Sequence, residues 1–139
     1  TQRPDARFKY YESLKHMAKE CEILVAIIPG GESTKGIINE PVIEALGPTG
    51  LLVNVARGSV VDNEALARCL NDGRLGAASL DVFPDEPNIP KSLLNIQENL
   101  ILTPHIASAT HFTRMQMGMV LYDNLKALSD GKLLLTPVN

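Results

Sequence analysis

Short apolar runs that alternate with helix-like stretches constrain this chain most. The runs are Ile23 to Ile28, Leu51 to Val55, Gly76 to Val82 and Leu100 to Leu102. Between them lie segments with helix start signals. Ser13 can cap a helix from Leu14 to Glu20 with Met17 and Ala18 inward. Asn39 can cap Pro41 to Leu46, stopped by Gly47 and Pro48, and Asp62 can cap Glu64 to Leu70, ending near Gly73. Strand and helix in strict alternation predict βα units and a mostly parallel sheet. The six-residue run between Glu22 and Pro29 suits a strand buried on both faces. Small residues Ala77, Ala78 and Ser79 allow close packing along the third run. Pro84, Pro87 and Pro90 mark a looped segment. From about Thr110 to Ser129, Met115, Met119, Tyr122, Leu125 and Leu128 recur at spacings of three and four, which predicts a longer helix closed by Gly131. The tail LLLTPVN is apolar and calls for a covering surface, such as a second domain.

With 45% apolar and 21% charged residues over 139 positions, the chain is globular and long enough for one core. A formal net charge of −3 favours neither a nucleic-acid backbone nor an anionic membrane as partner. Cys21 and Cys69 form no CxxC pair and no disulfide framework, so they read as free thiols in a reducing, cytoplasmic setting and not as metal ligands. No run of 18 apolar residues is present. The opening TQRPDARFKYY has neither an initiator methionine nor an apolar signal core, and reads as a chain entered part-way through.

In open parallel sheets, ligands sit beyond the carboxyl ends of the strands. Arg57, Glu86 and His105 all fall there. His105 is suited to carry a proton, Glu86 to orient it and hold its tautomer, and Arg57 to grip a carboxylate with its fork of donors. Gly58 permits a tight turn after Arg57. Together they could bind a 2-oxo acid and protonate its carbonyl oxygen. Other readings stand beside this one. Arg57 could pair with Asp62, Glu86 could be a solvated acid in Asp85-Glu86-Pro87, and His111 and His16 are competing histidines.

The stretches VNVARGSVVDNEALARCLNDGRLGAASLDVFPDEP and LILTPHIASATHFTRMQMG resemble the signatures of the D-isomer-specific 2-hydroxyacid dehydrogenases, in the flavour of the glyoxylate and hydroxypyruvate reductases. The resemblance runs from Arg3 to the TPVN tail. It implies an α/β fold with a Rossmann-like parallel sheet and flanking helices. Residues 1–108 would be the later part of an NAD(P)-binding domain, and 109–139 a long crossover helix and tail returning to a substrate domain. It implies Arg57, Glu86 and His105 as the catalytic set, with Arg57 on the substrate carboxylate, His105 as proton donor and Glu86 supporting it. It implies cofactor contacts from Ile28, Pro29, Val55, Ala56, Arg57, Asp81, His105 and Ala107, with Asp81 on the nicotinamide amide. Arg3 could reach a 2′-phosphate, which tilts the choice between NAD and NADP towards NADPH. The implied reaction is NAD(P)H-dependent reduction of a small 2-oxo acid to the D-2-hydroxy acid, in a full-length homodimer. The alternative of another class is a non-catalytic dinucleotide-sensing module of the corepressor kind.

Two departures accompany the resemblance. Relatives usually carry Leu and Thr where this chain has Gly30 and Gly31, which removes a side-chain contact and adds backbone freedom. The family's first βαβ part, with its G-x-G-x-x-G loop for the pyrophosphate, is not among these residues. The expectation is a downstream portion of a larger enzyme, inactive alone, whose sheet exposes apolar strand faces or edges.

Overall fold

The computed structural model describes residues 7–138, so Arg3 lies outside the described residues. The chain divides into two compact units, Thr1–His105 and Ile106–Asn139. The first unit carries β1 (Ile23–Ala26), β2 (Leu51–Asn54), β3 (Ala77–Leu80) and β4 (Leu100–Leu102), all parallel and in the order β1-β2-β3-β4. The alternation of strand and helix thus gives the expected Rossmann-like α/β sheet. Its helices are α1 (Leu14–Lys19), α2 (Glu40–Leu46), α3 (Asn63–Asn71) and α4 (Lys91–Leu94), with α1 packed on α2, α2 on α3 and α3 on α4.

The helix starts follow their caps. Ser13, Asn39 and Asp62 accept from the backbone N–H of His16, Val42 and Ala65, each satisfying one donor that a first turn leaves unpaired. The four-residue helix α4 was not legible in the proline-rich stretch. It starts right after Pro90, whose extended backbone serves as the N-cap position. Register fixes which strand residues meet. Leu24, Leu52 and Ala78 form one row with Leu100, and Val25, Val53 and Ser79 form the next with Ile101. The first row faces the core with Ile43, Leu66 and Leu75. The second row corrects one expectation. β1 is not buried on both faces: Ile23 is 56% and Val25 50% exposed, with Ile101 at 63%, while Leu24 and Ala26 are buried. A fully apolar run does not tell which of its faces the surrounding chain covers. The strands are also shorter than the runs, because Ile27, Ile28, Val55, Asp81 and Val82 continue past the ladder as the loops that carry the site.

The second unit is built on α5 (His111–Ser129), capped by Thr110 and closed at Gly131, whose φ of 65° suits a residue without a Cβ. Asn124 ties the tail to this helix, its side chain accepting from the Leu135 and Thr136 N–H groups at 3.0 and 3.2 Å. Apolar side chains are exposed around much of α5, among them Phe112, Met115, Met119, Leu121 and Leu125. Among the described residues, no helix is long and apolar enough to cross a membrane.

Candidate active site

Three adjacent parallel strands, β2, β3 and β4, each deliver one of the singled-out residues past their carboxyl ends. The turn after β2 is set by Asn54, a fully buried polar residue on the core face of the strand. Its side chain accepts from Ala56 N–H at 3.0 Å and donates to Arg57 O at 3.1 Å. Arg57 follows with extended backbone, and Gly58–Val60 form a short 3₁₀ turn. Gly58 is required by proximity: a Cβ there would lie 1.9 Å from the carbonyl carbon of Phe83 and 2.3 Å from Pro84 N. The loop after β3 therefore packs directly on the turn after β2.

Arg57 does not pair with Asp62, whose carboxylate caps α3 instead. Its Nη1 donates to its own neighbour's carbonyl, Ala56 O, at 2.7 Å. Among the described residues no carboxylate lies within ion-pair distance of Arg57. A guanidinium with no carboxylate partner among the described residues is available to an anionic ligand.

Glu86 is not a free loop acid. Oε1 accepts from Phe83 N–H at 2.9 Å and Oε2 lies 2.7 Å from His105 Nδ1. The bond from His105, aided by the Phe83 amide, holds the Glu86 carboxyl below its ordinary range, against desolvation and the nearby Asp81 charge. An ionised carboxylate only accepts, so Nδ1 carries the proton and Nε2 is the nitrogen left to exchange one. His105 itself has φ 54°, a left-handed conformation uncommon outside glycine. Its N–H donates to Asp81 O at 2.9 Å, which anchors this turn to the end of β3. Asp81 is buried, and Thr103 Oγ1 donates to its carboxylate at 2.5 Å. Backbone strain held by neighbours on both sides is a common mark of a functional residue.

Two hollows flank Phe83. The larger, about 710 Å³, is walled by residues 27–31 after β1 and 55–59 after β2, with Phe83 and Pro84. It gathers Ile28, Pro29, Val55, Ala56 and Arg57 from the expected cofactor set. The smaller, about 260 Å³, is lined by Phe83, Glu86, Pro87, Ile89, Pro104 and His105. Asp81 lies at the end of β3 and lines neither, and Ala107 belongs to the second unit. Of the competing histidines, His16 sits 3.2 Å from Glu20 on α1, and His111 opens α5. Among the described residues no group of three or more His, Cys, Asp or Glu could hold a metal ion.

Three residues of this site escaped the sequence reading: Asn54, Phe83 and Thr103. Asn is disfavoured inside strands, so Asn54 at an inward position of LLVNVA was a usable signal. Phe83 acts through its backbone N–H, which no side-chain pattern announces.

Residues 1–107 match the family profile described as D-isomer specific 2-hydroxyacid dehydrogenase, NAD binding domain. Glyoxylate/hydroxypyruvate reductase A of Arabidopsis thaliana is 44% identical over 138 residues, which is 99% of this chain and 44% of that protein. A 2-ketogluconate reductase of Gluconobacter oxydans is 42% identical over 98% of this chain and 44% of its own length. Among solved structures, the NADPH-dependent glyoxylate/hydroxypyruvate reductase of Sinorhizobium meliloti, in complex with NADP and malonate, superposes with a TM-score of 0.86 at 45% identity, covering 99% of this chain and 43% of that one. The chain thus spans less than half the length of the relatives it matches.

Proposed function

The chain belongs to the D-isomer-specific 2-hydroxyacid dehydrogenase family, and from that premise we propose that the full-length protein reduces a small 2-oxo acid of the glyoxylate or hydroxypyruvate kind to the D-2-hydroxy acid, using NADPH or NADH. The observation that carries this reading is the Glu86–His105 pair at 2.7 Å, built on the strand-end edge that also presents Arg57, a cation with no carboxylate partner among the described residues.

The cleft fits the nicotinamide end of such a cofactor. Its walls combine exposed apolar side chains, Ile28 and Val55, with backbone left bare at Gly31. Ile28, Pro29, Val55 and Ala56 would line it, and Asp81 would bind the amide. When bound, the reduced nicotinamide supplies the hydride. Arg57 holds the substrate carboxylate with two parallel donors. His105 Nε2 gives its proton to the carbonyl oxygen, and Glu86 stabilises the ring while it is charged. In the oxidative direction the same nitrogen takes the proton back.

Residues 1–108 serve as the later part of the nucleotide-binding domain and 109–139 return to the substrate domain of a cytoplasmic homodimer. Absorbance of NADPH and NADH with glyoxylate and with hydroxypyruvate tests the activity on the full-length protein. Turnover that collapses in His105→Ala is the expected result. Tight cofactor binding with no turnover on either acid would replace the enzyme by a dinucleotide sensor.

A further inference from the structure

Arg57 poses a positional problem that the mechanism leaves open. An arginine is usually oriented by a carboxylate, and this one has none among the described residues. Besides donating to Ala56 O, it fills with its stem the space that a side chain at Gly30 would take. A Cβ added at Gly30 would lie 2.7 Å from Arg57 Cγ, 3.1 Å from its Cβ and 3.9 Å from its Cδ. Those atoms are the root of the side chain, which cannot swing aside without a change of rotamer.

The two glycines of Pro29-Gly30-Gly31 therefore have different reasons to be glycine. Gly31 has φ 146°, where any side chain is strained, and nothing lies within 4 Å of a Cβ there. Gly30 is not in the left-handed region, and a side chain there is opposed only by Arg57. Both sides of this contact are pinned. Thr34 Oγ1 donates to Pro29 O at 2.8 Å, and Asn54 holds the backbone at Ala56 and Arg57.

We propose that Gly30 is a positioning residue for substrate binding: its missing side chain is the seat of the Arg57 stem and sets where the guanidinium meets the carboxylate of the 2-oxo acid. This rests on the reading of Arg57 as the carboxylate holder. It is particular to this chain, since relatives usually carry Leu at this position, and it reverses the expectation that Gly30 merely loosens the cofactor side of the cleft.

The test is a double-mutant cycle of Gly30→Ala and Arg57→Ala in the full-length enzyme, with KM for the 2-oxo acid, kcat, NADPH affinity and thermal midpoint measured for each. In Gly30→Ala, KM for the 2-oxo acid should rise about 10- to 100-fold, on the scale of the loss of about 100-fold that a misplacement of about 1 Å can cause, while NADPH affinity holds. In the Arg57→Ala background the same change should have no further effect, because the stem it displaces is gone. An equal KM effect in both backgrounds overturns the proposal, as does weaker NADPH binding with an unchanged KM, or no effect at all. Should Gly30→Ala alone fold poorly, recovery of the thermal midpoint in the double variant supports the clash, and failure to recover overturns it. If Arg57→Ala by itself leaves KM and kcat at wild-type values, the carboxylate-holding role fails, which is a different result from Arg57→Ala being impaired and Gly30→Ala not.

Discussion

Replacing Asn54 by alanine separates the architecture of the β2 turn from the chemistry it presents. Asn54 is 1% exposed and makes two side-chain hydrogen bonds to backbone. Losing them has unequal consequences. Arg57 O keeps a second donor, Val60 N–H at 3.1 Å, so that carbonyl stays satisfied. Ala56 is buried, and its amide has no such reserve among the bonds seen here. An orphaned buried donor costs about 1–3 kcal/mol and an ordinary lost bond about 1 kcal/mol, so Asn54→Ala should lose roughly 2–4 kcal/mol. Asn54→Asp has the same shape and keeps the acceptor for Ala56 N–H, but it sets an oxygen against Arg57 O in a dry site. It should be at least as destabilised at neutral pH and recover partly in acid, where a protonated carboxyl can donate again. Urea unfolding together with turnover of the full-length protein on the same samples checks both variants. A loss below about 0.5 kcal/mol for Asn54→Ala, within the range of ordinary surface changes, would refute the idea that this side chain holds the turn.

Other consequences follow from neighbouring contacts. Gly58→Ala must push a Cβ into the Phe83 backbone, so it should destabilise by about 3 kcal/mol or more and lower turnover together, because Glu86 hangs on the Phe83 amide; urea unfolding at wild-type midpoint would contradict this. Glu86 has a folded-state pKa below its ordinary value of 4.5, so the stability it contributes is complete above that value and is lost as pH falls through the lowered one. Glu86→Gln should therefore flatten the acid limb of a thermal-midpoint profile, and parallel profiles for the two proteins would count against the pairing. Arg74 bridges Glu40 and Glu44 on α2 and Asp72 just past α3, in a largely solvated network. The stability difference between wild type and Arg74→Ala should shrink with added salt, and a difference indifferent to salt would point to packing instead.

What the sequence made legible was what short-range chemistry decides. The caps at Ser13, Asn39 and Asp62 could be named because each satisfies amides within three residues. Strand-end placement of Arg57, Glu86 and His105 followed from parallel order alone. Coverage of β1 did not, since it depends on chain far from Ile23 and Val25. Nor did the meaning of Gly30 and Gly58: a glycine that makes room for Arg57 or for Phe83 looks the same in sequence as one that turns a loop. The four-residue α4 was hidden because a proline stretch gives no periodicity to read.

The separation between Arg57 and Glu86 is the least obvious feature of the site and the one its chemistry depends on. A carboxylate and a guanidinium free to meet would form a bidentate pair, leaving neither the cation for a ligand nor the anion for His105. Two devices keep them apart. Glu86 is occupied on both oxygens, by Phe83 N–H and by His105. Phe83 walls both the Arg57 hollow and the His105 hollow, and the absent Cβ at Gly58 lets the Phe83–Pro84 backbone sit directly against the Arg57 turn. The cation therefore retains its charge for an incoming anion, while the carboxylate's charge is committed to fixing a histidine tautomer. The division is enforced by a phenylalanine and a glycine, neither of which has any charge to contribute.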